Sequence, residues 1–416
     1  MMSDTTGTGY GDGPGGDQPL PPRHPLPWLQ ATIETGDFAV ALRRGDAPHV
    51  RYDEIEAIAE LYAAGETPGV LLYRPHHLLA HPDAVDHERS TVTVGGVSYG
   101  IKAAEPICDL VTCEEVELAD DRVDPLEIVQ GAIVASEDEP PGVGLVHGYR
   151  FWSHIGWFSH IGWFWSQGSP PTGPGFVLPP DFPTEPQADA PASAAIGLID
   201  NGVDQKHSWM SGGKVIGAVS AGTDEHAAHG TMVAGILRQG APGSTIHSKA
   251  IRVSNSSIEE TKVIRALSEL RDAGVKWAVM AFGGEDVGAY SYLKEAIEKY
   301  TAAPFGGQVV AAAGNLLDGD GVGRAPVAPA RYDCVLAVAC GPVSGEVKEY
   351  RTGTGPPESS SDYYGWSPGG PWVDFSVNLA RREASRCPWS LAEGHTARVA
   401  AARGPGVAAA RGAAPR

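Results

Sequence analysis

From Ala195 to Ala339, short and almost unbroken apolar runs alternate with stretches whose apolar residues recur at helical spacing. This alternation limits the fold more than any other feature of the 416-residue chain. Strands are expected at Ile196–Ile199, Lys214–Val219, Thr245–Ile251, Trp277–Ala281, Gln308–Ala313 and Val335–Ala339. Helices are expected at His229–Leu237, Ser257–Ala273 and Ser291–Tyr300. A strand that is apolar on both faces must be covered on both, which calls for a parallel sheet with helices above and below it. The expected fold class is therefore α/β, a doubly wound parallel sheet, whose chemistry collects at the carboxyl ends of the strands.

The chain before Ala195 reads differently. Residues 1–28 are rich in Gly, Pro and Asp and are expected to form a disordered tail. Residues 29–166 read as a small α+β accessory region. Within it, a strand is expected at Asp37–Leu42, a helix at Asp53–Ala64, a strand at Gly69–Tyr73, and a hairpin at Ser90–Ile101 turning through Gly95 and Gly96. No chemistry is legible in this region. His76 and His77 lack a third ligand at useful spacing and are expected on the surface. The region closes on an aromatic stretch, Phe151–Trp165, in which Ser-His-Ile-Gly-Trp-Phe occurs twice in succession. Residues 167–194 follow as a linker, with eight prolines between Gly168 and Ala194.

Charge and cysteine content narrow the function. The net charge of −20 comes with no basic stripe, which argues against nucleic acid or an anionic membrane as partner. Residues 29–150 hold 23 Asp and Glu against 8 Lys and Arg. No apolar run reaches the ~18 residues of a membrane span, and residues 1–28 hold no secretory h-region, so a cytoplasmic location is expected. Five cysteines without zinc-type pairing suggest reduced, buried thiols.

Within the α/β part, the strand Ile196–Ile199 ends in Asp200-Asn201-Gly202-Val203-Asp204, and His229-Gly230-Thr231-Met232-Val233-Ala234-Gly235 opens a helix. Two further runs are Val279-Met280-Ala281-Phe282-Gly283-Gly284 and Val309-Val310-Ala311-Ala312-Ala313-Gly314-Asn315. In this order and spacing, the four motifs resemble the subtilisin-like serine peptidases, the S8 family, over about residues 195–375. The resemblance implies that Asp200 is the triad acid, His229 the base and Asn315 the oxyanion donor. It implies that Ala281, Phe282, Gly283 and Gly284 form one wall of the substrate cleft, and Ala312, Ala313 and Gly314 the other. The substrate would be a polypeptide, with a medium to large apolar P1 side chain favoured by the small residues of both walls. No cofactor is expected. The calcium loop that the family often inserts after the catalytic His has no counterpart in Val233–Leu237 or the residues after it, so no metal is expected there. The acidic run Asp318–Asp320 is at most a weak calcium binder.

The family's Gly-Thr-Ser segment, which carries the nucleophile, has no match. The nearest run is Glu393-Gly394-His395-Thr396-Ala397, and Thr396, Ser385 and Ser390 are poor substitutes for the missing Ser. Residues 381–416 change character, with seven Arg and only two acids. Three accounts stay open: a tail read out of frame, a deletion of the serine, or a pseudopeptidase that binds peptides without cutting them. Residues 195–380 are thus expected to form the peptidase domain, and 381–416 an atypical tail. A folding pro-domain over 29–150 is a further expectation, resting on its position. The oligomeric state has no signature in the sequence.

Overall fold

The computed structural model describes residues 26–66, 68–136, 142–151, 195–205, 210, 215–217, 229–241, 243–254, 257–287, 291–314, 327–340, 347–349 and 374–377. The linker, the aromatic repeat beyond Phe151 and the tail 381–416 lie outside them.

The N-terminal region contributes α1 (Leu26–Thr35), β1 (Ala39–Arg43), β2 (Val50–Tyr52), α2 (Ile55–Ala63) and β3 (Gly69–Ala80). It continues with β4 (Val85–Asp86), β5 (Thr91–Val94), β6 (Val97–Pro106), β7 (Glu114–Leu118), α3 (Pro125–Ala135) and β8 (Val143–Phe151). Helix α1 starts inside the segment 1–28 expected to be a tail. Its Leu29 is fully buried in a cluster with Phe38, Val40, Leu42, Ile58 and Leu72, a gain that local composition does not advertise. The expected hairpin is present as β5 and β6, turning through Gly95 and Gly96 at φ 55° and 81°. Helix α3 is capped by the Asp124 carboxylate, which accepts from Leu126 N–H at 2.9 Å.

The α/β part supplies β9 (Ala195–Asp200), β10 (Val215–Gly217), α4 (His229–Gly240), β11 (Thr245–Ala250), β12 (Arg252–Ser254) and β13 (Ser257–Glu259). After these come α5 (Glu260–Asp272), β14 (Trp277–Met280), β15 (Phe282–Gly283), α6 (Tyr292–Thr301), β16 (Gln308–Ala312), β17 (Val335–Cys340), β18 (Val347–Glu349) and β19 (Phe375–Val377). One sheet runs in the order β10-β11-β9-β14-β16-β17-β19-β18 and is parallel apart from the β18–β19 pair. Val233, Ala234 and Leu237 of α4 pack with Ile196, Leu198, Val279 and Val310. Val263, Leu267 and Leu270 of α5 and Ala296 and Ile297 of α6 pack with Ala278, Met280, Val309 and Ala311. Alternate residues of β9, β14, β16 and β17 therefore serve two different buried clusters.

The second sheet, antiparallel throughout, runs β12-β13-β8-β3-β7-β6-β5-β4, with β1 and β2 added beyond β3 and β15 added to β8. Three of its strands, β12, β13 and β15, thus come from the α/β part of the chain. Residues 257–259 were expected to begin a helix. Instead they extend as β13, pairing with Gly148, Tyr149 and Arg150 of β8, and α5 starts at Glu260. The partner lies more than a hundred residues upstream, so helical spacing read locally could not reveal it. Leu79, Val146 and Tyr149 share one buried cluster with Ile258, Val263, Phe282 and Tyr292, so the accessory region and the α/β unit have a common core.

Candidate active site

Strand β9 is buried from Ile196 to Asp200 between β11 and β14, and its register on both neighbours holds its last residue at the sheet's carboxyl edge. Asp200 is completely buried. Its carbonyl accepts from Ile251 N–H at 2.8 Å, and its carboxylate accepts from Asn201 N–H at 2.7 Å. His229 is the first residue of α4, delivered there because Val233, Ala234 and Leu237 of the next turns bury against the sheet. Its Nδ1 lies 2.8 and 2.9 Å from the two carboxylate oxygens of Asp200. The Asp200 carboxylate needs a donor at that distance, so Nδ1 carries the proton and the lone pair of the neutral ring sits on Nε2.

Close approach of the two segments depends on Gly230. A methyl there would overlap the Gly202 carbonyl and stand 2.8 Å from Asn201 Oδ1 and 2.9 Å from Asp200 Oδ1. Two more contacts fasten the acid loop to α4. Gly230 N–H donates to Asn201 Oδ1 at 2.8 Å, and Asp204 N–H donates to Thr231 Oγ1 at 2.8 Å. Helix α4 is unbroken from His229 to Gly240, and β11 begins at Thr245. Among the described residues, no group of three His, Cys, Asp or Glu is placed to hold a metal. No described helix is long and apolar enough to cross a membrane.

The two expected cleft walls are the ends of neighbouring parallel strands. The register Met280↔Ala311 sets Ala281 beside Ala312. Ala281, Phe282, Ala312 and Ala313 are fully buried, and Ala313 N–H donates to the Val338 carbonyl at 2.8 Å. Gly314 has φ 107°, a conformation that excludes other residues. Asn315, Ser385, Ser390, Thr396 and the acidic run 318–320 lie outside the described residues.

The wall at 281–284 is not open. Phe282 and Gly283 pair antiparallel with Phe151 and Arg150 of β8, whose other edge pairs with β13. The chain's own residues 148–151 therefore lie as a strand on the edge assigned to substrate, with the Tyr149 and Phe282 rings 6.1 Å apart. Two carboxylates next to these strands hold the accessory region in place. Glu260 is fully buried and accepts from His147 N–H at 3.0 Å, Leu293 N–H at 3.0 Å and Ser291 Oγ at 3.1 Å, with His147 Nδ1 at 2.7 Å. Val287 N–H donates to the other ring nitrogen of His147 at 3.2 Å. Burial works against a charged His147, but the neighbouring Glu260 carboxylate outweighs it and raises its pKa. Glu285 receives Arg43 at 3.0 Å and His49 Nε2 at 2.8 Å. Burial disfavours its charge, yet the His49 and Arg43 contacts prevail and hold the carboxyl below its usual range.

Sequence reading missed Glu260, Glu285 and His147, since a lone acid beside a strand carries no signature of a partner so far away. His76 and His77, expected on the surface, are half-buried. His77 Nε2 lies 2.9 Å from Arg74, which itself pairs with Glu115 at 2.7 Å, so this pairing draws His77 inward.

A buried carboxylate fixing one nitrogen of a histidine, at the carboxyl edge of a parallel sheet, is an arrangement that can do general-base chemistry. Residues 192–378 match the model of the subtilase family, Peptidase S8, a family of serine-type endopeptidases. Similar solved structures include fervidolysin from Fervidobacterium pennivorans, a keratinolytic enzyme related to subtilisin, at 16% identity and TM-score 0.44. That match covers 79% of this chain and 54% of fervidolysin, so the chain spans about half the length of that enzyme. A lanthipeptide protease is 16% identical at TM-score 0.34, over 51% of this chain and 72% of its own. The psychrophilic subtilisin-like protease Apa1 from Pseudoalteromonas sp. AS-11 is 22% identical at TM-score 0.33, over 44% and 41%. A search of curated proteins finds no match.

Proposed function

We propose that the chain is a subtilisin-like serine endopeptidase by descent, organised to hydrolyse peptide bonds with Asp200 as the orienting acid, His229 as the base and Asn315 as the oxyanion donor. The observation that carries this reading is the contact of His229 Nδ1 with both oxygens of a fully buried Asp200. With Nδ1 fixed, Nε2 takes the proton of a hydroxyl nucleophile and returns it to the leaving amine, while Asp200 stabilises the imidazolium. An amide at the oxyanion contributes about 3–4 kcal/mol where a comparable Asn has been removed. The doubly wound form of the sheet belongs to this reading, supported by the separate packing of α4 and of α5 with α6. So do a polypeptide substrate with an apolar P1 residue and a cytoplasmic location.

A second reading is favoured by β8. The edge at Phe282–Gly283 already holds a strand in cis, which is how a peptide-binding module without a nucleophile would hold its ligand. If 29–150 is a pro-region, that strand must leave before a substrate can pair. Fluorophosphonate labelling of the full chain, with His229→Ala as control and peptide mapping of any adduct, separates the readings. A His229-dependent adduct within 379–416 establishes a working hydrolase. No adduct, together with binding of an added peptide to that edge, establishes the module.

A further inference from the structure

We infer that Asn201 is a positioning residue for the Asp200–His229 pair, holding acid and base from both ends at once. The inference rests on reading that pair as a general-base unit. The Asn201 N–H donates to Asp200 Oδ1 at 2.7 Å, and its side-chain Oδ1 accepts from Gly230 N–H at 2.8 Å. One residue therefore grips the carboxylate on one side and the backbone beside the imidazole on the other. The N–H groups of a helix's first turn have no partner within the helix, so they need an acceptor from outside. For α4, one such acceptor comes from 29 residues upstream.

Asn201 is anchored well enough to serve. Its backbone bridges Ala250, next to the Ile251 N–H that donates to the Asp200 carbonyl, and its side chain is buried. Its Nδ2 has no hydrogen-bond partner among the described residues, so the oxygen alone orders the side chain. Without that oxygen, Gly230 N–H would be left bare and the start of α4 would be free to shift by tenths of an ångström. A shift of that size spoils a contact in which Nδ1 faces two oxygens at nearly equal distance.

The test uses the full chain labelled with 15N-histidine, with His229→Ala assigning the signals of His229. The parent should show a low-field proton on His229 Nδ1. Asn201→Ala should broaden it or move it upfield, and lower the proton affinity of the ring about threefold, half a pH unit in its titration. Asn201→Asp keeps an acceptor for Gly230 and adds a negative charge, so it should retain the signal and raise the titration. If both variants fold and leave the His229 signal and titration as in the parent, Asn201 is only structural, whatever happens to Tm. Should Asn201→Ala fail to fold, Asn201→Asp decides: a raised titration supports the inference and an unchanged one overturns it. A parent without the low-field signal sinks the general-base reading and this inference together; a parent that has it, with unresponsive variants, sinks this inference alone.

Discussion

Replacing Glu260 by Ala should undo the junction between the accessory region and the α/β core. The carboxylate serves four groups: the N–H of His147 and of Leu293, the Ser291 hydroxyl and the His147 ring. The Ser291 hydroxyl can rotate to another acceptor, but the two backbone donors are fixed. A buried donor left without a partner costs about 1–3 kcal/mol, so the two together cost about 2–6. The ring of His147 also loses the charge that raises its pKa. We expect about 3–5 kcal/mol in all, within the range set by the unpartnered donors. With a urea slope no steeper than about 3 kcal/mol/M, the unfolding midpoint should fall by at least about 1 M. Glu260→Gln, which keeps one acceptor but turns an N–H toward the other donors, should lose roughly half as much. Urea unfolding followed by tryptophan fluorescence measures the midpoint, and amide exchange at 145–149 reports where the opening occurs. A midpoint change within about 0.3 M for both variants, with exchange at 147 unaltered, would refute the reasoning.

Gly230→Ala should displace the start of α4, because its methyl overlaps the Gly202 carbonyl; a loss of about 1–3 kcal/mol or more in thermal unfolding is expected, with the His229 low-field signal gone. An unchanged Tm would show that the two segments are not packed as described. Glu285 has a folded pKa below its ordinary 4.5, so its contribution is present above pH 4.5 and is lost as the pH falls through the folded value. Glu285→Gln should therefore be less stable at neutral pH and show a flatter decline between pH 5 and 3. Parallel curves for parent and variant would contradict the assignment. Burial pushes the Cys334 thiol up to about 11 and Cys113 higher still. Both should react slowly with iodoacetamide at pH 8 until urea is added, and rapid labelling of the native chain would count against the raised pKa values.

Much of the α/β half could be read from local pattern. Strands apolar on both faces fit only where both faces are covered, and the acid at the end of β9 and the His-Gly opening α4 are motifs whose spacing survives without coordinates. The accessory half was legible only in part. The hairpin at Gly95–Gly96 announced itself, whereas β7, α3 and β8 did not: β7 is mostly acid, and β8 is set by pairing with the distant β3 and β13. The misassigned start of α5 has the same origin: Ile258 suits a helix by spacing and becomes strand by pairing with Tyr149.

The sequence by itself determined the parallel sheet, the candidate acid–base pair and the absence of the family's serine segment, because each depends on residue type at short range. Tertiary structure alone decided that β8 lies on the edge expected to take substrate, that Glu260 holds it there through His147, that Glu285 joins Arg43 and His49 to the α/β part, and that Asn201 joins the acid loop to α4. These depend on groups 29 to 242 residues apart meeting at hydrogen-bond distance, and nothing in a linear chain records which distant donor will face a buried carboxylate once the core has closed.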